Sequence, residues 1–198
     1  MKLLILISFF VLSACSQPKR LNELPAAGVI LSFGDSLTYG TGADKGHSYP
    51  DALAKLTQRK VINSGIPGEL SIEGLARLPK LLQEHQPNVL LICHGGNDLL
   101  RKKDPEKLKQ NLISMIQIGW QYKAEVVIIG VPEVKLFGGL HPVYQQVAEE
   151  LNIPIESEAL SKLLKNNKYK SDYVHLNNAG YQQLAQNLME LLQHEGAL

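Results

Sequence analysis

Three short segments of this chain carry the residue types of nucleophilic hydrolysis: Gly34-Asp35-Ser36-Leu37, Gly95-Gly96-Asn97-Asp98 and Asp172-Tyr173-Val174-His175. A serine hydroxyl is a poor nucleophile until a neighbouring base takes its proton. Of the six histidines, His175 follows an aspartate by three residues at the start of the last helical stripe; His47 has the same spacing from Asp44 but lies in the glycine-rich loop after the first segment. That spacing lets one turn of chain bring Asp172 to Nδ1, which fixes the tautomer and turns Nε2 toward Ser36. His85 and His194 fall at helix ends, where a cation is ordinary. His47 and His141 fall in loops, and His94 abuts the second segment as a residue of the pocket wall with no assigned role. Each segment also has a plain structural reading. Ser36 could cap a turn, Asn97 could be a turn residue, and Asp172 and His175 could flank a helix start. Together, in this order, they specify chemistry. Asp35 and Asp98 read as loop-tying carboxylates that accept backbone hydrogen bonds.

Those segments need a frame. Val29–Phe33, Val61–Asn63, Val89–Cys93 and Glu125–Ile129 are short apolar runs closed by glycine, proline or polar residues, and Ile153–Ile155 is a proline-containing edge strand. Helical stripes lie between them: Leu75, Leu78, Leu81 and Leu82; then Leu108, Leu112, Ile113, Ile116 and Trp120, opened by Asp104 and Pro105; then Val143–Leu151; then Leu184, Leu188, Leu191 and Leu192. Non-alternating strands interleaved with helices point to a parallel sheet covered on both faces, a three-layer α/β/α sandwich. In such sheets ligands bind beyond the carboxyl ends of the strands. Ser36, Gly68 and Asn97 follow the first three strands and so converge on one rim.

At Phe33–Gly40, Asn63–Glu69, His94–Asp98 and Asp172–His175 the chain resembles the SGNH (GDSL) hydrolase superfamily, in its lysophospholipase, thioesterase and arylesterase-like branch. The resemblance runs from Val29 to the last helix. It implies a flavodoxin-like sheet of about five strands in the order 2-1-3-4-5, a Ser36, His175, Asp172 triad, and an oxyanion hole of the Ser36 and Gly68 N–H groups with the Asn97 amide. Gly65 competes with Gly68 for the glycine role, and Gly68 is favoured. No metal or cofactor is implied.

The amino terminus reads as an export signal over residues 1–14: Lys2, an apolar run from Leu3 to Leu12, then small residues. The run is too short to span a bilayer, which takes about 20 residues. Leu12-Ser13-Ala14-Cys15 resembles the bacterial lipobox, so Cys15 is the expected lipid attachment point and the cell envelope the expected location. Ser16 after it fits an outer-membrane destination on the periplasmic face. Residues 15–28, with Pro18 and Pro25, read as a polar tether that reaches about 40 Å when stretched, and residues 29–198 as one hydrolase domain. Cys93, the second of two cysteines, sits in an apolar run as a buried small residue. A formal net charge of +1 gives no footprint for nucleic acid. The Lys162, Lys165, Lys168, Lys170 cluster reads as a solvated face.

The expected activity is hydrolysis of carboxylic esters through an acyl-enzyme, with the membrane as partner through the lipid anchor. The apolar, glycine-hinged loop Leu136–Leu140 is a candidate wall of an acyl groove. Competing readings are a silent lipoprotein that binds envelope glycan or peptide, a deacetylase of envelope glycans, and a flavodoxin-like module cradling a phosphate at Gly34–Gly42.

Overall fold

The structure is a computed structural model that describes residues 20–133 and 138–198. Five parallel strands, β1 (Val29–Gly34), β2 (Lys60–Gly65), β3 (Val89–Cys93), β4 (Glu125–Ile129) and β5 (Ile155–Glu156), lie in the order β2-β1-β3-β4-β5. This is the expected order. β1, β3 and β4 are mostly apolar, and β3 is apolar and buried along its whole length, because helices cover both of its faces.

The helices are α1 (Ser36–Tyr39), α2 (Tyr49–Thr57), α3 (Ser71–His85), α4 (Gly96–Leu100), α5 (Pro105–Gln121), α6 (Pro142–Leu151), α7 (Ala159–Leu164) and α8 (Asn178–Glu195). Right-handed crossovers decide their sides. The chain moves outward from β1 to β2 through α2, then back across and onward to β5 through α3, α5 and α6. The first move puts α2 on one face, where it packs with α8; the others put α3, α5 and α6 in a row on the opposite face.

Three differences from the sequence reading have physical causes. α2 carries only a short apolar stripe, yet a capping box between Ser48 and Asp51 and Pro50 in its first turn start it firmly. β5 begins after Pro154, not before it. Proline has no N–H to give the ladder, so Pro154 contributes only its carbonyl, to Ile128 N at 3.1 Å. The third is the tether. Residues 1–19, with the signal and Cys15, lie outside the described residues, but from Arg20 onward the segment is part of the domain. Leu21 and Leu24 are buried, their N–H groups bond to Glu195 O at 3.0 Å and Ala197 O at 2.8 Å, and Arg20 forks onto the Glu195 carboxylate at 2.6 and 2.8 Å. Two leucines three residues apart find core, which a free spacer would leave in water.

Candidate active site

The three segments meet at the carboxyl ends of β1, β2 and β3. Ser36 opens α1 directly after β1, with Asp35 as its cap: Oδ1 of Asp35 accepts the Leu37 N–H at 3.1 Å. Asp35 is fully buried, and burial pushes its carboxyl above the ordinary range, against the pull of His94, the Leu37 N–H and His175.

His175 reaches the site from the loop before α8. Its Nε2 lies 3.0 Å from Ser36 Oγ, and its Nδ1 lies 2.8 Å from Asp172 Oδ2. The other oxygen, Oδ1, accepts the backbone N–H groups of Val174 and His175, both at 2.8 Å. One aspartate therefore holds both the ring and the turn that carries it. Partial burial would raise the Asp172 carboxyl, but the His175 hydrogen bond and the two backbone donors outweigh it and leave it below the usual range.

Gly65 and Gly68 separate cleanly. Gly65 ends β2 against α1, where a Cβ would stand 2.1 Å from Tyr39 N; it is a packing glycine. Gly68 lies on the cavity wall with φ of +81°, and a Cβ there would meet only Arg101 Nη2, at an ordinary 3.8 Å. Among the described residues, neither the Ser36 N–H nor the Gly68 N–H has a hydrogen-bond acceptor. Asn97, on α4, also lines the cavity. Its Nδ2 donates to Glu69 O at 3.1 Å and to Asp35 Oδ2 at 3.3 Å. Asp98 turns away and ties α4 to α3 through Ser71 N at 2.8 Å and Ser71 Oγ at 2.7 Å.

The cavity over these groups measures about 310 Å³. Its walls include Leu37, Pro67, Leu100, Val131, Pro132, Leu164 and Val174, with Glu133 at the edge. Of the candidate acyl-groove loop, Leu136 and Phe137 lie outside the described residues. A hydroxyl, a base with its orienting carboxylate and two N–H groups without backbone acceptors, on residues that line one largely apolar cavity, can carry out acyl transfer.

One expectation fails: His94 does not line the cavity. It is fully buried, with Nε2 3.0 Å from Glu69 Oε2 and Nδ1 accepting the Gly95 N–H at 3.0 Å. Glu69 is also clasped by Arg77 at 2.6 Å to each oxygen. The sequence reading passed over Glu69 and Arg77. Their only signal was two opposite charges eight residues apart on a segment otherwise read as loop and apolar stripe.

The decisive comparison is a match to the GDSL-like Lipase/Acylhydrolase family across residues 32–183, which spans all three segments. The chain belongs to that family. Esterase TesA of Pseudomonas aeruginosa is 37% identical over 126 residues, 61% of this chain and 63% of that protein, so the match spans less than two thirds of that esterase's length. The Escherichia coli protein named thioesterase 1/protease 1/lysophospholipase L1 is 32% identical over 160 residues, 77% of each chain. The crystal structure of a TesA superposes with a TM-score of 0.75 at 29% identity, covering 84% of this chain and 99% of that one. The GDSL fold and the SGNH resemblance of the sequence therefore stand together. Among the described residues no cluster of histidine, cysteine, aspartate and glutamate could hold a metal ion.

Proposed function

We propose that this GDSL-family hydrolase cleaves carboxylic esters of medium to long acyl groups through an acyl-enzyme on Ser36. The carrying observation is the 3.0 Å contact between His175 Nε2 and Ser36 Oγ, with Asp172 on the far side of the ring. His175 takes the hydroxyl proton as Ser36 Oγ bonds to the ester carbonyl carbon. The carbonyl oxygen, now anionic, is received by the Ser36 and Gly68 N–H groups and by the Asn97 amide, which gives up its longer 3.3 Å contact with Asp35 Oδ2 to do so. Such donors act where charge develops, and losing one typically costs about 10²–10³ in rate. The tetrahedral species collapses, the C–O bond to the alcohol breaks, and His175 returns the proton to the leaving oxygen. Water then enters by the same steps in reverse and frees the acid.

The predominantly apolar cavity supports an acyl chain longer than acetyl, since apolar surface buried there contributes roughly 25 cal/mol per Å². The names of the relatives, esterase and thioesterase/lysophospholipase, support ester and thioester substrates of lipid character. The test is a panel of p-nitrophenyl acetate, butyrate and octanoate with an acyl thioester, run beside Ser36→Ala. Octanoate should exceed acetate in kcat/KM, and the variant should be inert. A strong acetate preference would reject the acyl-groove reading in favour of a deacetylase.

The proposed site of action is the cell envelope, through a lipid on Cys15. Arg20 is fixed beside Glu195 at the end of α8, whereas His175 precedes its start. The 18 residues of α8 separate those two points by about 27 Å. Between Cys15 and Arg20 the chain reaches at most about 18 Å. An anchored enzyme would thus present its cavity away from the leaflet that holds it, to substrate arriving through solution.

A further inference from the structure

Behind the proposed oxyanion hole lies a buried polar assembly that no step above uses. Arg77, on α3, donates to both Glu69 oxygens at 2.6 Å, to Ser64 Oγ at 2.7 Å, to Ser64 O at 2.9 Å and to Gly34 O at 3.2 Å. Its guanidinium carbon stands 4.3 Å over the Phe33 ring. One side chain therefore gathers the ends of β1 and β2 and the turn that follows β2. His94 completes the assembly from β3. Its Nδ1 accepts a backbone N–H and so carries no proton, which leaves Nε2 to donate to Glu69. The ring fits beneath α3 only because position 74 is glycine: a Cβ there would stand 2.3 Å from His94 Nε2.

A charge taken out of water is costly unless its lone pairs are met, and a buried, fully bonded network holds its members rigidly. Glu69 has its carboxylate met by Arg77 and His94. Burial alone would push that carboxyl up, but these partners hold it below its usual range. What the carboxylate fixes in space is the backbone of residues 68 and 69.

We propose that Glu69, locked by Arg77 and His94, is the positioning residue of the oxyanion hole: it aims the Asn97 amide and the Gly68 N–H. The Glu69 carbonyl can only accept, so the 3.1 Å contact from Asn97 Nδ2, the shorter of its two (the other is 3.3 Å to Asp35 Oδ2), turns the NH₂ end of that amide, not its oxygen, toward the turn beside the cavity. Gly68 is bonded directly to Glu69, lines the cavity, and has an N–H with no backbone acceptor. The carboxylate itself never touches substrate. This inference rests on the hydrolytic reading above, and it adds the device that sets the donors.

The test is a double-mutant cycle on a p-nitrophenyl ester, with Glu69→Gln, Asn97→Ala and the pair. Glutamine keeps the shape but turns an NH₂ toward Arg77 or His94, both donors, so the turn must shift. The expected result for Glu69→Gln is a kcat lower by about 10–100-fold with KM within about threefold, because donors that act in the transition state are lost rather than ground-state binding. In the Asn97→Ala background the cost of Glu69→Gln should shrink at least about fivefold, since the donor it aims is already gone. A Glu69→Gln enzyme with unchanged kcat, or the same cost in both backgrounds, overturns the proposal and leaves Glu69 a structural residue. Should Glu69→Gln fail to fold, Arg77→Lys replaces it in the cycle with the same two outcomes. An Asn97→Ala enzyme of full activity, while Ser36→Ala is inert, overturns this inference without touching the nucleophile.

Discussion

His175 Nε2 and Ser36 Oγ stand 3.0 Å apart although 139 residues separate them in the chain. The fold brings them together because β1 ends, and the loop before α8 turns, on the same rim of the sheet. Asp172 closes the line at 2.8 Å from Nδ1. Its side chain is about half exposed, at 51%, so water softens its electrostatic effect while its two backbone hydrogen bonds still fix the turn. Asp172→Asn should lower kcat by about 10²–10⁴-fold, because the amide can favour the wrong imidazole tautomer. Steady-state kinetics on a short ester check it; a loss under threefold would make Asp172 a turn residue only.

A base must be unprotonated to accept the Ser36 proton. kcat/KM should therefore climb as pH rises across the window in which imidazoles titrate, roughly pH 5 to 8. Asp172, held below the ordinary carboxylate range, stays ionised through that window and adds no second step. A profile flat across it would remove His175 from the role of base.

The two glycines of the β2–α3 turn should fail differently. Gly65→Ala puts a methyl against the backbone of Tyr39 and should lower the thermal midpoint sharply or abolish folding. Gly68→Ala meets no clash, only the Arg101 guanidinium at 3.8 Å, but must hold a φ of +81°, a strain of about 1–3 kcal/mol. It should stay folded and lose kcat through a displaced N–H. Paired thermal melts and kinetics separate them, and the opposite pattern would move the oxyanion role to Gly65.

The packed segment after Arg20 predicts two stability effects. Leu24→Ala should destabilise the fold by about 2–5 kcal/mol, as truncation of a buried leucine does; an unchanged denaturation midpoint would restore the free tether. The Glu195 carboxyl is held low by its Arg20 hydrogen bonds, against burial. A carboxyl with a depressed folded-state pKa contributes stability above its unfolded value and loses it as pH falls through the folded one. Thermal midpoints should therefore drop as pH falls below about 4.5, and Glu195→Gln should lower the pH 7 midpoint and flatten that acid limb.

Much of this was legible in residues whose meaning is local. β3 and β4 match their runs end to end: β3 is buried along its whole length, and β4 is buried after its first residue, Glu125, so few polar positions blur their limits. Ser36, Asn97 and His175 were legible because each sits in a short segment of fixed spacing. α2 was missed because its start depends on a Ser48–Asp51 capping box rather than a long stripe. Leu21 and Leu24 looked like spacer because nothing in their neighbourhood announces the α8 terminus that covers them. His94 was set on the cavity wall by adjacency to Gly95, but its partners, Glu69 and Arg77, come from the turn after β2 and from α3. Only the folded sheet brings those three together.

Ser36 should be an activated nucleophile, and fluorophosphonate labelling with peptide mapping reads that state directly. The expected result is one covalent adduct on Ser36, formed rapidly in the intact chain and strongly slowed in His175→Ala, with other serines unmodified. Absence of an adduct on Ser36 in folded protein, or labelling that is indifferent to His175, would contradict it.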